Sequence, residues 1–150
     1  MTDISQEALH VAKQNVDRHL ADNKTEIRLI WTDLLAFAES YTEVWTNRQI
    51  VLVANLPYIP EAMFTQNAPD NVQKREPKMA FVGGDDGLIY YRQMLDQMPL
   101  AMQMNTVCFF EMMTRQIEIL AKEYEKSRHF EEVKTFHFNI RIVKATKIAD

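Results

Sequence analysis

Glycine is scarce in this chain: three residues in 150, all within Gly83–Gly87, so no glycine-rich loop exists outside that stretch. Cysteine is scarcer still. Cys108 is alone, which excludes an internal disulfide, and its setting in Val107-Cys108-Phe109-Phe110 reads as that of a small buried hydrophobe. A reducing, cytoplasmic setting is the default expectation. Positive charge is not in surplus, with 17 basic against 21 acidic side chains and a net charge of −4. That excludes a protein holding nucleic acid by charge alone, though not an enzyme with a local basic patch. No apolar run approaches the length needed to span a membrane, and the N-terminus lacks a basic-then-apolar signal pattern, so the chain reads as soluble and not exported. Internal repeats and low-complexity segments are missing too. His10, His19, His129 and His137 share no spacing with cysteine or acidic residues that would suggest a metal site.

What is present is an ordinary globular composition, 47% apolar and 25% charged, in a length that suits one domain with a real core. Ser5 is a good N-cap, and Leu9, Ala12, Val16 and Leu20 recur at helical spacing behind it, with Glu7 where the helix dipole favours an acid. Residues 26–31 read as a strand and residues 35–45 as a second helix. Ile50-Val51-Leu52-Val53-Ala54 is a continuous apolar run, the mark of a strand buried on both faces of a parallel sheet. Residues 55–86 read as loop and hold four of the five prolines. A helix is expected over 87–98, with Leu88, Tyr91, Leu95 and Met98 on one face. A buried strand follows over 107–111, then a helix burying Ile117, Leu120, Ala121 and Tyr124. The tail alternates through Phe136, Phe138, Ile140 and Ile142, as one long strand or two tightly joined ones. Strands alternating with helices predict an α/β fold with a mostly parallel sheet and helices on both faces. The methionines, among them Met94, Met98, Met102, Met104, Met112 and Met113, read as adaptable core.

The sharpest feature is Asn55-Leu56-Pro57-Tyr58-Ile59-Pro60, directly after the Ile50–Ala54 strand. In an open parallel sheet, ligands sit beyond the carboxyl ends of the strands, where this segment must lie. It resembles the Asn-Pro-Pro-Tyr signature of methyltransferases acting on planar amino groups, with Leu56 in place of the first proline. The residue types suit that chemistry. An amide nitrogen is a poor nucleophile because its lone pair is delocalised. An asparagine side-chain oxygen and a backbone carbonyl, both acceptors, can hold its two hydrogens and fix it in line for attack. On the resemblance, Asn55 and the Leu56 carbonyl play those parts, Pro57 stiffens the turn, and the Tyr58 ring packs on the planar group. A strand-ending loop capped by Asn55 is the plain alternative.

A second segment runs from Arg75-Glu76-Pro77 through Ala80-Phe81 and Gly83-Gly84-Asp85-Asp86-Gly87-Leu88 to Tyr91-Arg92. It is similar to the Glu-Pro, Gly-Gly-x-Asp-Gly-Leu and Tyr-Arg run of the protein-(glutamine-N5) methyltransferases that modify peptide chain release factors. Gly83 and Gly84 permit positive dihedrals, and Asp86 can cap the next helix. The resemblance covers residues 1 to about 125 and implies a class I, Rossmann-like domain using S-adenosylmethionine. It places Asp3 on the cofactor ribose hydroxyls, Ile4 against the adenine, and Asp33-Leu34 at the adenine edge, with Asn55 also near the cofactor. It implies a release factor as the protein substrate, with no metal, membrane or direct nucleic-acid contact. Glu111 ends a strand next to this site, either orienting the Asn55 loop or simply facing water.

The sequence also departs from that family. The glycine-rich turn that cradles the methionine part of the cofactor should precede Asp3, and the first strand and the N-terminal substrate domain are not seen. The expectation is therefore an N-terminally truncated domain: a shortened frame, an engineered piece or half of a split protein. A missing N-terminal segment or a second copy would be its partner. Pairing of the 50–54 strand with the 26–31 strand, or exchange between two chains, would close the gap. Two other functions compete, an adenine amino methyltransferase using the small Lys74, Arg75, Lys78 cluster and a non-catalytic remnant or partner subunit.

Overall fold

Strand β1 (Thr2–Asp3) leads into helix α1 (Gln6–His19) in the computed structural model, which describes residues 1–22, 24–46, 48–99, 106–125, 132–135 and 140–144. Ser5 caps the helix as its composition predicts, its hydroxyl accepting the Ala8 N–H at 3.1 Å. Only Leu9 of the apolar stripe is buried, while Leu20 is exposed.

Strand β2 (Ile30–Trp31) pairs in parallel with β1, Thr2 opposite Ile30 and Asp3 opposite Trp31. The expected strand over 26–31 shrinks to these two residues, because β1 offers no longer ladder to pair with. The expected helix over 35–45 is a 3₁₀ turn (Ala38–Tyr41) followed by a single helical turn, α2 (Thr42–Trp45).

Strand β3 (Ile50–Ala54) pairs in parallel with β4 (Thr106–Glu111), in register from Ile50 opposite Thr106 to Ala54 opposite Phe110. Beyond β4 the sheet turns antiparallel, through β6 (Ile140–Lys144) to β5 (Glu132–Thr135), giving the order β3-β4-β6-β5. The tail is thus two antiparallel strands, and the sheet is mixed where a mostly parallel one was expected. Pairing of the 50–54 strand with the 26–31 strand does not occur, since β2 pairs with β1 in a separate two-stranded sheet. The readings at residues 136–139, at Met102, Met104 and His129, and at the Tyr124 side chain lie outside the described residues.

The proline-rich segment is not simply loop. It carries two short helices, α3 (Glu61–Asn67) and α4 (Asp70–Arg75), and a 3₁₀ turn (Lys78–Ala80). Pro60 and Pro69 occupy the N-cap positions of α3 and α4, a place where a missing N–H costs nothing. Helix α5 (Ile89–Asp96) begins two residues later than expected, after Gly87 turns the chain at φ +77°.

The core lies on one face of the main sheet. Ala54, Cys108 and Phe110 meet Leu88, Tyr91, Met94, Leu95 and Met98, with Ile117 and Leu120 from α6 (Thr114–Glu125). Tyr91 and Phe110 pack edge to face at 5.4 Å, worth about 1 kcal/mol beyond burial alone. On the other face Val51 is 61% and Val53 73% exposed, so β3 is not buried on both sides and no described helix covers it. No described helix is long and apolar enough to cross a membrane.

Candidate active site

The carboxyl ends of β1, β2 and β3 open into one cleft of about 630 Å³. That is within the usual range of small-molecule sites, about 300–1,000 Å³. Its lining includes Asp3, Ile4, Asp33, Leu34, Asn55, Leu56 and Pro57, so residues separated by more than fifty positions meet at one place. The parallel pairing of β1 with β2 is what sets Asp3 and the loop after Trp31 side by side; the Trp31 indole secures it, donating to the Ile4 carbonyl at 2.9 Å.

Each carboxylate is half committed. One Asp3 oxygen accepts the Ser5 N–H at 2.8 Å, and one Asp33 oxygen accepts from the Gln93 amide at 3.1 Å. The second oxygen of each has no partner among the described residues, which leaves an acceptor for hydroxyl or amino donors in the cleft. Leu34 sits at φ +52°, a left-handed backbone that costs a leucine about 1–2 kcal/mol. The turn is held from below by Gln97, whose side-chain oxygen accepts the Leu35 N–H at 2.7 Å.

Asn55 is exposed, and its side chain makes no hydrogen bond among the described residues. The residues after it are tightly held. The Leu56 N–H donates to the Tyr91 hydroxyl at 3.1 Å, and that hydroxyl donates to the Glu111 backbone carbonyl. The Tyr58 carbonyl accepts from the Gln116 amide at 2.6 Å. Tyr58 does not line the cleft: its hydroxyl donates to the Glu111 carboxylate at 3.2 Å, and its ring packs against the core. Burial raises both tyrosine pKa values, helped at Tyr58 by the bond to Glu111, so both phenols stay protonated. Tyr90, Met79 and Pro77 form the cleft wall instead.

The second sequence segment is stitched directly to the first. Ile59 N–H donates to the Phe81 carbonyl, Gly83 N–H to the Ile59 carbonyl and Glu61 N–H to the Gly84 carbonyl, at 2.8–3.0 Å. Gly83 is there for space, because a Cβ would fall 2.3 Å from the Pro57 oxygen, whereas Gly84 and Gly87 take positive φ. None of the three glycines lines the cleft.

Glu111 and Gln116 are the residues that the sequence reading undervalued or missed. Glu111 does orient the Asn55 loop, through both tyrosines. Gln116 is only 4% exposed and satisfies three partners, accepting from the Met113 N–H and donating to the Tyr58 and Asp86 carbonyls. A polar residue inside an apolar helical stripe was its one signal.

Asp86 does not cap α5 directly. One of its oxygens accepts the Leu88 N–H at 3.0 Å, and the Arg92 guanidinium grips both oxygens while also holding Glu123. The Arg92 hydrogen bonds hold the Asp86 carboxyl below its usual range, against a smaller opposing effect of burial. Its contribution to stability is therefore complete above the unfolded value of about 4 and is lost as pH falls through the lower folded value. Urea midpoints followed downward from about pH 6 to pH 3 should drop less steeply for Asp86→Asn than for the wild type.

The fold is α/β, with a cleft of small-molecule size at its strand ends. Comparison with known proteins is more specific. The release factor glutamine methyltransferase of Bacillus anthracis is 38% identical over 111 residues, which are 73% of this chain and 35% of that protein. The protein of the same name from Thermosynechococcus vestitus is 30% identical over 132 residues, 87% of this chain and 43% of its own length. A ribosomal protein uL3 glutamine methyltransferase from Bradyrhizobium diazoefficiens is 31% identical over 97 residues. The chain is thus a sequence relative of the release factor glutamine methyltransferases, spanning about a third of the length of the Bacillus anthracis protein. No protein-family model matches it.

Proposed function

We propose that this chain is part of an S-adenosylmethionine-dependent methyltransferase of Rossmann-like type that methylates a glutamine side-chain amide in a peptide chain release factor, in the cytoplasm. One observation carries the reading: the cleft beside Asp3 and Asp33 is continuous with an Asn55 side chain that its own scaffold leaves unspent. A strand-ending asparagine with only a structural task would be bonded to the loop it caps.

The residues present fit the adenosyl part of the cofactor. The free oxygens of Asp3 and Asp33 accept hydrogen bonds, Asp3 from the ribose hydroxyls and Asp33 from the adenine amino edge. Ile4 and Leu34 supply apolar contact for the ring. When bound, S-adenosylmethionine supplies an electrophilic methyl carbon. The Asn55 side-chain oxygen and the Leu56 carbonyl accept the two N–H bonds of the glutamine amide, orienting its nitrogen and stabilising the positive charge that develops there. Pro57 limits the turn, and Tyr58, anchored on Glu111, holds the loop from behind.

Asp3→Asn should weaken cofactor binding about tenfold in calorimetry, as expected for losing a charged acceptor at a hydroxyl pair. The functional test is incubation of a release factor with S-adenosylmethionine and this protein, followed by fragment mass spectrometry. A single methyl group on a glutamine is expected. A methyl group on RNA adenine instead would favour an amino methyltransferase of nucleic acid, and no transfer at all would favour a non-catalytic partner.

A further inference from the structure

We infer that Tyr91 is a positioning residue for methyl transfer: its buried hydroxyl fixes the Asn55–Leu56 peptide and keeps the Leu56 carbonyl available to the acceptor amide. The inference rests on the functional reading above. Tyr91 is fully buried, with its ring packed on Phe110, so its hydroxyl is held at a fixed point in the core. That oxygen bridges β3 and β4 just beyond their last paired residues, Ala54 and Phe110. It accepts the Leu56 N–H at 3.1 Å and donates its proton to the Glu111 carbonyl.

A phenol has one proton to give. The Leu56 carbonyl lies 3.5 Å from the same oxygen, at the limit of hydrogen bonding, while the Glu111 carbonyl lies much closer and takes the proton. The Leu56 oxygen therefore keeps its accepting capacity. The clamped N–H belongs to the peptide that joins Asn55 to Leu56, so the same bond sets the direction in which Asn55 leaves the strand. Tyr58, bonded to the Glu111 side chain, ties the next residues to the same strand end. Tyr91 thus works on both acceptors without touching the substrate.

The test is Tyr91→Phe in the full chain, which removes the oxygen and leaves the ring packing. Methyl transfer to the release factor should show kcat lowered about tenfold or more, with KM for S-adenosylmethionine within about twofold of wild type. In the same variant, amide exchange at Leu56 should quicken about tenfold while Cys108 and Phe110 stay protected. A variant with unchanged Leu56 exchange, or with faster exchange but unchanged kcat, overturns the inference. Wild-type protein that methylates no glutamine overturns the functional reading and the catalytic half of this one; the exchange result then decides whether Tyr91 fixes the loop. Should the variant fail to fold, the wild type still answers, because Leu56 must exchange at least about tenfold slower than an unstructured amide. An unprotected Leu56 contradicts the inference.

Discussion

Asn55→Ala is expected to lower methyl transfer about 100-fold, the size of effect seen when one preorganised hydrogen-bonding group is lost from a transition-state site. Its melting temperature should match that of the wild type. The two halves of this expectation have separate causes. Asn55 is exposed and carries no bond to its own loop, so truncation leaves no buried group unpaired and costs less than about 0.5 kcal/mol. In the proposed function the same unspent amide is the acceptor that orients the glutamine nitrogen, so its loss should fall on the reacting geometry. Steady-state kinetics beside a thermal melt separate the two. A variant that loses stability as well as rate would show that Asn55 is a scaffold residue.

Gly87→Ala should be strongly destabilising, and far more so than Gly84→Ala. Gly87 has φ +77°, and a Cβ there would lie 2.1 Å from both the Gln116 amide nitrogen and the Tyr58 carbonyl oxygen. The methyl group would have to displace the very bond that Gln116 makes to Tyr58. Backbone strain, steric overlap and a broken buried network add up to more than about 3 kcal/mol. Gly84→Ala is the internal comparison. It shares a positive φ of +86°, but its Cβ would meet only the Ile89 side chain at 3.4 Å, so its cost should stay near 1 kcal/mol. Chemical denaturation of the two variants side by side measures the gap. Equal losses would mean that backbone strain alone governs this turn.

Much of the architecture was legible because it is periodic. The stripe at Leu88, Tyr91, Leu95 and Met98 did identify the buried face of α5, and the runs at 50–54 and 107–111 did become paired strands. An apolar run, however, looks the same whether or not something covers both its faces. Val51 and Val53 could not be told apart from Leu52 and Ala54, and they turned out exposed. The length of β2 was illegible for a related reason, since strand length depends on the partner, and β1 has only two residues to offer. The short helices α3 and α4 hid behind prolines that read as loop but stand at N-caps.

For the site, the sequence identified the segments but not the direction of each side chain. Asp3, Asp33 and Asn55 do line one cleft, and residues 55–60 and 81–84 are bonded together. Which tyrosine faces the cleft is fixed by tertiary packing: Tyr58 is drawn back to Glu111, and Tyr90 lines the wall. The Gln116 network has no local sequence signal beyond its polarity, because its three partners lie on three different segments.

Binding and geometry meet in one experiment, an amide-resolved NMR titration of the folded protein with S-adenosylmethionine. Asp3, Ile4, Asp33, Leu34 and Asn55 are expected to shift together and saturate along one binding curve, while the exposed Val51 of β3, which lies outside the cleft, stays still. A well-dispersed spectrum in which those five positions do not move at saturating cofactor would contradict it.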